Sequence, residues 1–339
     1  MQSSQRILVT GGTGYIGSHT VVDLIQKGYQ VVIIDNLYNS SVKVLENIKE
    51  IVGQPELAFE NVDLRDEKEV ERVFRERGPF DAVIHFAAMK AVGESVKKPL
   101  AYYKNNVCGA INLLEAMSRH ACNCFIFSSS ACVYGENPRA QEHHAIQPIN
   151  PYGHTKSMTE QIMKDVAAAT PGFTAISLRY FNPIGAHPTG LLGESPLDIP
   201  NNLMPYLQKV VTGELPHLNV FGTDYDTEDG SGVRDFIHVC DLAKGHSAAL
   251  AKSDLHGFHA FNLGTGKGTS VLQLAAAMEK ASGKELKKVF APRREGDAAI
   301  SMCDPSKARE VLGWQTELSI EQACLDSCKW VENYPRGLE

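Results

Sequence analysis

The chain has 339 residues, room for two packed domains, and its 43% hydrophobic and 22% charged content is that of a folded globular protein rather than a disordered one. A net charge of −7 with a pI near 6.0 argues against a general nucleic-acid or membrane-surface role, so an anionic substrate would be met by local arginines. The start, MQSSQR, offers no signal-peptide core, no apolar run is long enough to span a bilayer, and the eight cysteines form no paired C-x-x-C, so the expectation is a cytoplasmic enzyme with reduced thiols and no metal site.

The first predicted element, Ile7 to Thr10, is a short β-branched strand that runs into glycines at 11, 12, 14 and 17. Gly12, Gly14 and Gly17 follow the G-x-G-x-x-G spacing, and Gly11, Gly14 and Gly17 the looser one. Glycine serves there because the turn needs positive φ and a pyrophosphate needs a backbone with no Cβ in the way, while a helix starting near Tyr15 aims its amides at the phosphates. Such loops also simply connect strands to helices. A second β-branched run, Val31 to Ile34, ends in Asp35, about 20 residues on, where a carboxylate can accept from a ribose diol. That carboxylate would repel a 2′-phosphate, which favours NAD over NADP.

Further along, Leu57 to Val62, Ala82 to Phe86, Cys124 to Ser128 and Phe173 to Leu178 read as buried strands separated by helical stretches. The alternation predicts an α/β fold, a Rossmann-type doubly wound parallel sheet, with ligands beyond the carboxyl ends of its strands. The residues to question are then Asp63, Ala87 to Lys90, Ser128 to Ser130, and Tyr180 to Asn182. From about residue 183 prolines crowd among glycines, which places a boundary between a domain at 1–182 and a smaller mixed α/β substrate domain at 183–339, some of it packing back on the first. In that second part Gly232 to Leu250 and Val271 to Ser282 read as helical, and Ala260 to Leu263 as a short strand. Cys324 and Cys328, four apart on a probable helix, read as two buried small side chains.

Tyr152 and Lys156 stand four apart in NPYGHTK, in the first turn of a helix expected to run to about Ala169, and so share a face. A phenol of reference pKa ~10 is a poor base at neutral pH, but a neighbouring ammonium and an oxidised nicotinamide both favour the phenolate. The same pair also occurs on ordinary solvated helices. What strengthens it is Ser130 in FIFSSSACVYG, a strand-end hydroxyl able to hydrogen-bond the same substrate oxygen.

Taken together, TGGTGYIGSH, FAAMKAVGES, FSSSACVYG, the Y-x-x-x-K, RYFNPIGAHP, IPNNLMPY, GVRDFIHVCDLA, NLGTGKGTSV and APRREGD resemble the UDP-glucose 4-epimerases of the extended short-chain dehydrogenase/reductase superfamily, over essentially the whole chain. The resemblance implies a tightly bound NAD held by Gly11, Gly14, Tyr15, Ile16, Gly17, Asp35, Asn36, Asn39, Ser40, Asp63, Leu64, Phe86, Ala87, Lys90, Asn105, Ser128, Tyr152, Lys156 and Tyr180. It implies a UDP-sugar against Lys90, Ser130, Tyr152, Phe181, Asn182, Asn201, Asn202, Leu203, Asn219, Val220, Phe221, Arg234, Arg294, Asp297 and Ser301. Catalysis would rest on Tyr152, Lys156 and Ser130. Independently of any family, Arg234 and Arg294 are forked cations suited to a pyrophosphate, and Asn201 and Asn202 can equally be an N-cap pair.

Cys132 departs from the family's usual threonine, which loses one hydroxyl near the sugar, and Met89 and His154 depart without touching the catalytic positions. Two other readings compete: a nucleotide-sugar 4,6-dehydratase, and a dinucleotide-binding sensor without turnover. Dehydratases of the superfamily place Asp-Glu where this chain has Ala131 and Cys132, and the sensors typically lack the Tyr and Lys. The resemblance further implies a homodimer through the helical stretches near Pro99 to His120 and Pro151 to Ala169. It also implies a hexose pocket left roomy at Ser301, where related enzymes carry either tyrosine or a small side chain, so that N-acetylated sugars would enter as well.

Overall fold

A computed structural model describes residues 4–196, 200, 202–294 and 297–338. The chain opens with β1 (Arg6–Thr10), α1 (Tyr15–Gln26) and β2 (Gln30–Asp35), and continues through β3 (Ala58–Asn61), β4 (Ala82–His85) and β5 (Cys124–Ser130), with helices between them. Two later strands, Thr174–Tyr180 and Gly257–Leu263, complete a parallel sheet of seven in the order Gly257–Leu263, Thr174–Tyr180, β5, β4, β1, β2, β3. The order reverses between β1 and β4, which opens a crevice at their carboxyl ends.

The sheet is buried on both faces, which is why its strands are continuous apolar runs rather than alternating ones. On one face Val21, Leu24, Leu242 and Ala249 pack against Ile7, Val9 and Ile33. On the other, Phe74, Leu113, Met117 and Met163 cover Leu8, Val83 and Phe125. A third core, with Met204, Leu207, Val220, Leu274, Met278, Cys324 and Cys328, gathers residues from Ile184 onward, and the two cysteines lie buried on the helix Ile320–Asn333.

Two expectations are corrected. The stretch beginning at Gly232 is not helical throughout: Val233–Arg234 and Phe236–His238 are strands, and the helix covers only Val239–Leu250. Phe236–His238 pairs in parallel with Asn182–Ile184, and that pairing outweighs local helical propensity. The strand expected at Ala260 to Leu263 is longer and sits at the edge of the main sheet, beside Thr174–Tyr180, so the chain returns to the first layer well after residue 183. The stretch near Pro99 to His120 is helical as expected, but its middle, Tyr103–Cys108, is wound as a π-helix. Among the described residues no helix is long and apolar enough to cross a membrane.

Candidate active site

The glycine loop makes a cradle with no room for side chains. Gly11 has φ +70°, and a Cβ on it would lie 2.6 Å from the Ala87 nitrogen; one on Gly17 would lie 2.1 Å from the Gly11 carbonyl oxygen. Gly14 is the N-cap of α1 and supplies no side-chain cap, so the first-turn amides remain available to an anion, as a pyrophosphate requires. The Tyr15 phenol donates to the Gly185 carbonyl at 2.7 Å, and Ile16 follows it in the first turn of α1.

Asp35 closes the end of β2. Its carboxylate accepts from the Thr13 amide at 3.2 Å, the Leu37 amide at 2.9 Å and the Ser40 hydroxyl at 3.3 Å, and so holds the loop carrying Asn36, Asn39 and Ser40 against the glycine turn. Asn36 donates to Asp63 at 3.1 Å, and Arg65 beside it, by hydrogen bonds, holds the Asp63 carboxyl well below the usual range. The Leu64 carbonyl accepts from Asn112 at 2.9 Å. Phe86 lies with its ring 4.6 Å from that of His246, and Ala87 lies directly under Gly11. The chemistry of these residues fits an adenosine ribose on Asp35 and a pyrophosphate on the loop.

Asn150 caps the helix Pro151–Ala169 by accepting from the Gly153 amide at 2.8 Å, and Pro151 occupies its first turn. Tyr152 and Lys156 therefore project from one face beside the end of β5. The Lys156 ammonium donates to the Ser128 carbonyl oxygen at 2.6 Å and lies 4.8 Å from the Phe127 ring centroid and 5.8 Å from that of Tyr152. Burial lowers Lys156 to about 7. Burial also raises the Tyr152 phenol, with the Cys132 thiol adding to it and the Ser130 hydroxyl working the other way. A cationic nicotinamide stacked here would draw the phenol back down. Ser130 Oγ also accepts from the Cys132 amide at 3.2 Å. Tyr180 is buried, and its hydroxyl donates to His246 Nε2, because Nδ1 of that ring donates to the Leu242 carbonyl at 2.9 Å.

The other residues to question lie on later elements of the chain. Arg234 and Arg294 share Asp297, at 3.2 Å and 2.9 Å, and the Arg294 guanidinium stands 4.8 Å over the Phe221 ring. Arg234 and Ser301 are register partners on adjacent strands. Asn182 begins a strand, with its amide donating to the Asp235 carbonyl at 3.0 Å, and Phe181 precedes it, buried. Asn219 donates to the Tyr206 hydroxyl at 3.2 Å. Val220 is fully buried in the third core, so only its backbone can face a ligand. Asn202 occupies the N-cap position of Leu203–Val211 without capping it; its amide instead donates to Glu194 at 3.1 Å. Asn201 lies outside the described residues.

Several contacts were not foreseen. Lys90, expected on the cofactor and the substrate, pairs with Glu194 at 2.6 Å, the same carboxylate that accepts from Asn202. Asn106, within the π-helical turns, accepts from the Met89 amide at 2.9 Å and donates to the Met89 carbonyl at 3.0 Å and the Thr155 hydroxyl at 3.1 Å, bracing the Ala87 to Lys90 loop against the Tyr152 helix. Its neighbour Asn105 donates to Asn106 at 2.9 Å. Asp235 gathers the Thr265 amide and hydroxyl and the Gly266 amide. An asparagine in a helix interior carries no sequence signal for such a role; GVRD before NLGTG at least marks Asp235 as one half of a turn-binding pair.

The model for the family described as GDP-mannose 4,6 dehydratase matches residues 8–326. UDP-glucose 4-epimerase 2 of Arabidopsis thaliana is 52% identical over 98% of this chain and 97% of its own length. UDP-glucose 4-epimerase of Neisseria meningitidis serogroup C is 51% identical, over 99% of each. Among solved structures, UDP-glucose 4-epimerase from Bifidobacterium longum in complex with NAD+ and UDP is 48% identical, with a TM-score of 0.94 over 98% of this chain and 100% of that one.

Proposed function

The chain belongs to the UDP-glucose 4-epimerases, within the nucleotide-sugar epimerase and dehydratase family, and on that premise we propose how its residues carry the reaction. It is an NAD-dependent isomerase that inverts C4 of UDP-hexoses, interconverting UDP-glucose and UDP-galactose through a 4-keto sugar. The observation that carries the reading is the cluster at the end of β5, with Lys156 on the Ser128 carbonyl and Tyr152 beside Ser130.

NAD, which the glycine loop and Asp35 would hold, would supply the acceptor and donor for the C4 hydride. Tyr152 takes the proton of the sugar 4-hydroxyl and gives it back to the 4-oxygen after the hexose has turned over. Ser130 shares the hydrogen bond to that oxygen, which keeps it in line with the phenol. Lys156 holds the phenolate charged, and its partial desolvation makes its own charge count for more. Arg234 and Arg294 grip the diphosphate, leaving the hexose as the part that rotates. Asp297 already orients both guanidinium groups, and its carboxylate is suited to accept from a uridine ribose diol. Ala131 and Cys132 offer neither the acid nor the base that loss of water would need.

The remaining parts of the reading are finer. The enzyme is cytoplasmic and homodimeric. The exposed apolar side chains Leu100 and Ile111 on the stretch Pro99–Arg119, and Met158 on the Tyr152 helix, favour pairing of these helices with those of a second copy. The hexose pocket accepts N-acetylated sugars because Ser301 is small.

Purified protein incubated with UDP-galactose and no added nicotinamide should give UDP-glucose as its product. A 6-deoxy-4-keto product, or none, would overturn the reading.

A further inference from the structure

Glu160 follows Lys156 by four residues and Tyr152 by eight on the helix Pro151–Ala169, so the three side chains share one face. It is 1% exposed. One of its oxygens accepts from the hydroxyls of Ser129 and Ser177, each at 2.7 Å, and from Arg179 Nε at 2.9 Å; the other accepts from Arg179 Nη2 at 2.6 Å. Burial works to raise this carboxyl, but the guanidinium and the two hydroxyls outweigh it and hold it below its ordinary value. Ser129 stands on β5 between Ser128, whose carbonyl takes the Lys156 ammonium, and Ser130, and Arg179 is its register partner on the next strand.

The network continues. Arg179 Nη1 donates to the Tyr134 hydroxyl at 2.8 Å, that hydroxyl donates to Asn262 Oδ1 at 2.6 Å, and Asn262 Nδ2 donates to the Ala140 carbonyl at 3.0 Å. Ala140 pairs with Cys303, on the strand whose Ser301 is in register with Arg234. An unbroken polar chain thus joins the proton-transfer helix to the strand on the sugar side. A buried ion pair is weak evidence of stabilisation, since apolar residues of similar volume serve as well or better, so its place directly below Lys156 asks for another reason.

We propose that Glu160 and Arg179 are positioning residues for proton transfer: by tying the helix to Ser129 they set the depth at which Lys156 reaches the Ser128 carbonyl and Tyr152 reaches Ser130. The proposal rests on Tyr152 being the proton acceptor. The titratable groups facing Lys156 are Tyr152 and Glu160 on its own helix, Cys132 after β5 and His85 on β4. With Glu160 neutral, the Arg179 cation has no counter-charge, which favours both a neutral Lys156 and a charged Tyr152 phenolate.

Four enzymes decide it: wild type, Glu160→Gln, Glu160→Gln/Arg179→Met and Ser129→Ala, each assayed for kcat and KM with UDP-galactose from pH 6 to 10. Each is also titrated for phenolate absorbance against its own Tyr152→Phe counterpart. Glu160→Gln should lose about tenfold or more in kcat, with KM within about threefold, and both limbs of its kcat profile and its phenolate titration should move to lower pH. The double variant should return the limbs towards wild type while kcat stays low. Ser129→Ala, which leaves the ion pair whole, should lose kcat several-fold with the limbs unmoved, and it carries the test if Glu160→Gln does not fold. Variants that melt earlier yet keep wild-type kcat, limbs and titration overturn the proposal. Full turnover by Tyr152→Phe in the wild-type background would instead overturn the proton-acceptor reading beneath it.

Discussion

The Lys156 ammonium is buried against the Ser128 carbonyl at 2.6 Å and stands 5.8 Å from the ring centroid of Tyr152, so the cation that must hold a phenolate charged is itself short of water. Its charge therefore acts on Tyr152 through a medium of low dielectric, where it is worth several times what it would be at the surface.

Replacing Lys156 by Met should raise the pH at which Tyr152 loses its proton, because burial already raises the phenol and the opposing ammonium would be gone. The acid limb of kcat should move to higher pH, with turnover at neutral pH falling about a hundredfold. A Lys156→Met profile that superimposes on wild type would remove the lysine from the mechanism.

Stability should fall in acid. Burial holds His19, His85 and His246 neutral, at about 3, 3 and 4, whereas unfolded histidines titrate near 6.5. Between those values the unfolded chain binds more protons than the folded one, so stability is full above about pH 7 and declines as pH drops through 6.5 towards 4. Each ring contributes up to about 1.4 kcal/mol per pH unit in that window. Urea midpoints should fall from pH 7 to 6 to 5; a constant midpoint would contradict the burial of these rings as neutral groups.

Much of this was legible in the sequence, because parallel strands buried on both faces write themselves as apolar runs and glycine spacing reflects hard steric limits. Gly11 and Gly17 show the second point: the contacts a Cβ would make there admit no substitute. What escaped depended on partners far away in the chain. The strand at Phe236–His238 exists because Asn182–Ile184 lies beside it, and the length of Gly257–Leu263 is set by Thr174–Tyr180. At the site, the bonds of Tyr15 to Gly185 and of Lys90 to Glu194 join residues 170 and 104 positions apart, which no local pattern announces. Val220 and Asn106 show the same limit in opposite directions: one turns its side chain into the core, and the other reaches from within a helix to brace a loop.

The substrate range should follow the volume at Ser301. Wild type should interconvert UDP-GlcNAc and UDP-GalNAc as well as the unsubstituted pair, and Ser301→Tyr should abolish the N-acetyl activity while sparing UDP-galactose, since a close-packed pocket cannot hold both ring and acetamide. Wild type inert towards UDP-GalNAc, or a tyrosine variant still active on it, would show that other side chains close the pocket.

In solution, light scattering should report twice the 37.1 kDa chain mass. Leu100 is 81% exposed on the stretch expected to pair, and Leu100→Glu should shift the population towards monomer. A wild-type monomer at assay concentration would dismiss the helix-pairing face.

The most direct test of the account is turnover of UDP-galactose by Tyr152→Phe, a change that removes one hydroxyl and leaves the ring packed beside Lys156. Loss of about a thousandfold or more in kcat, ~4 kcal/mol of transition-state stabilisation, is the predicted result, with the variant still folded and still binding UDP. Turnover within a few-fold of wild type would contradict it, and the proton acceptor would have to be sought elsewhere in the crevice.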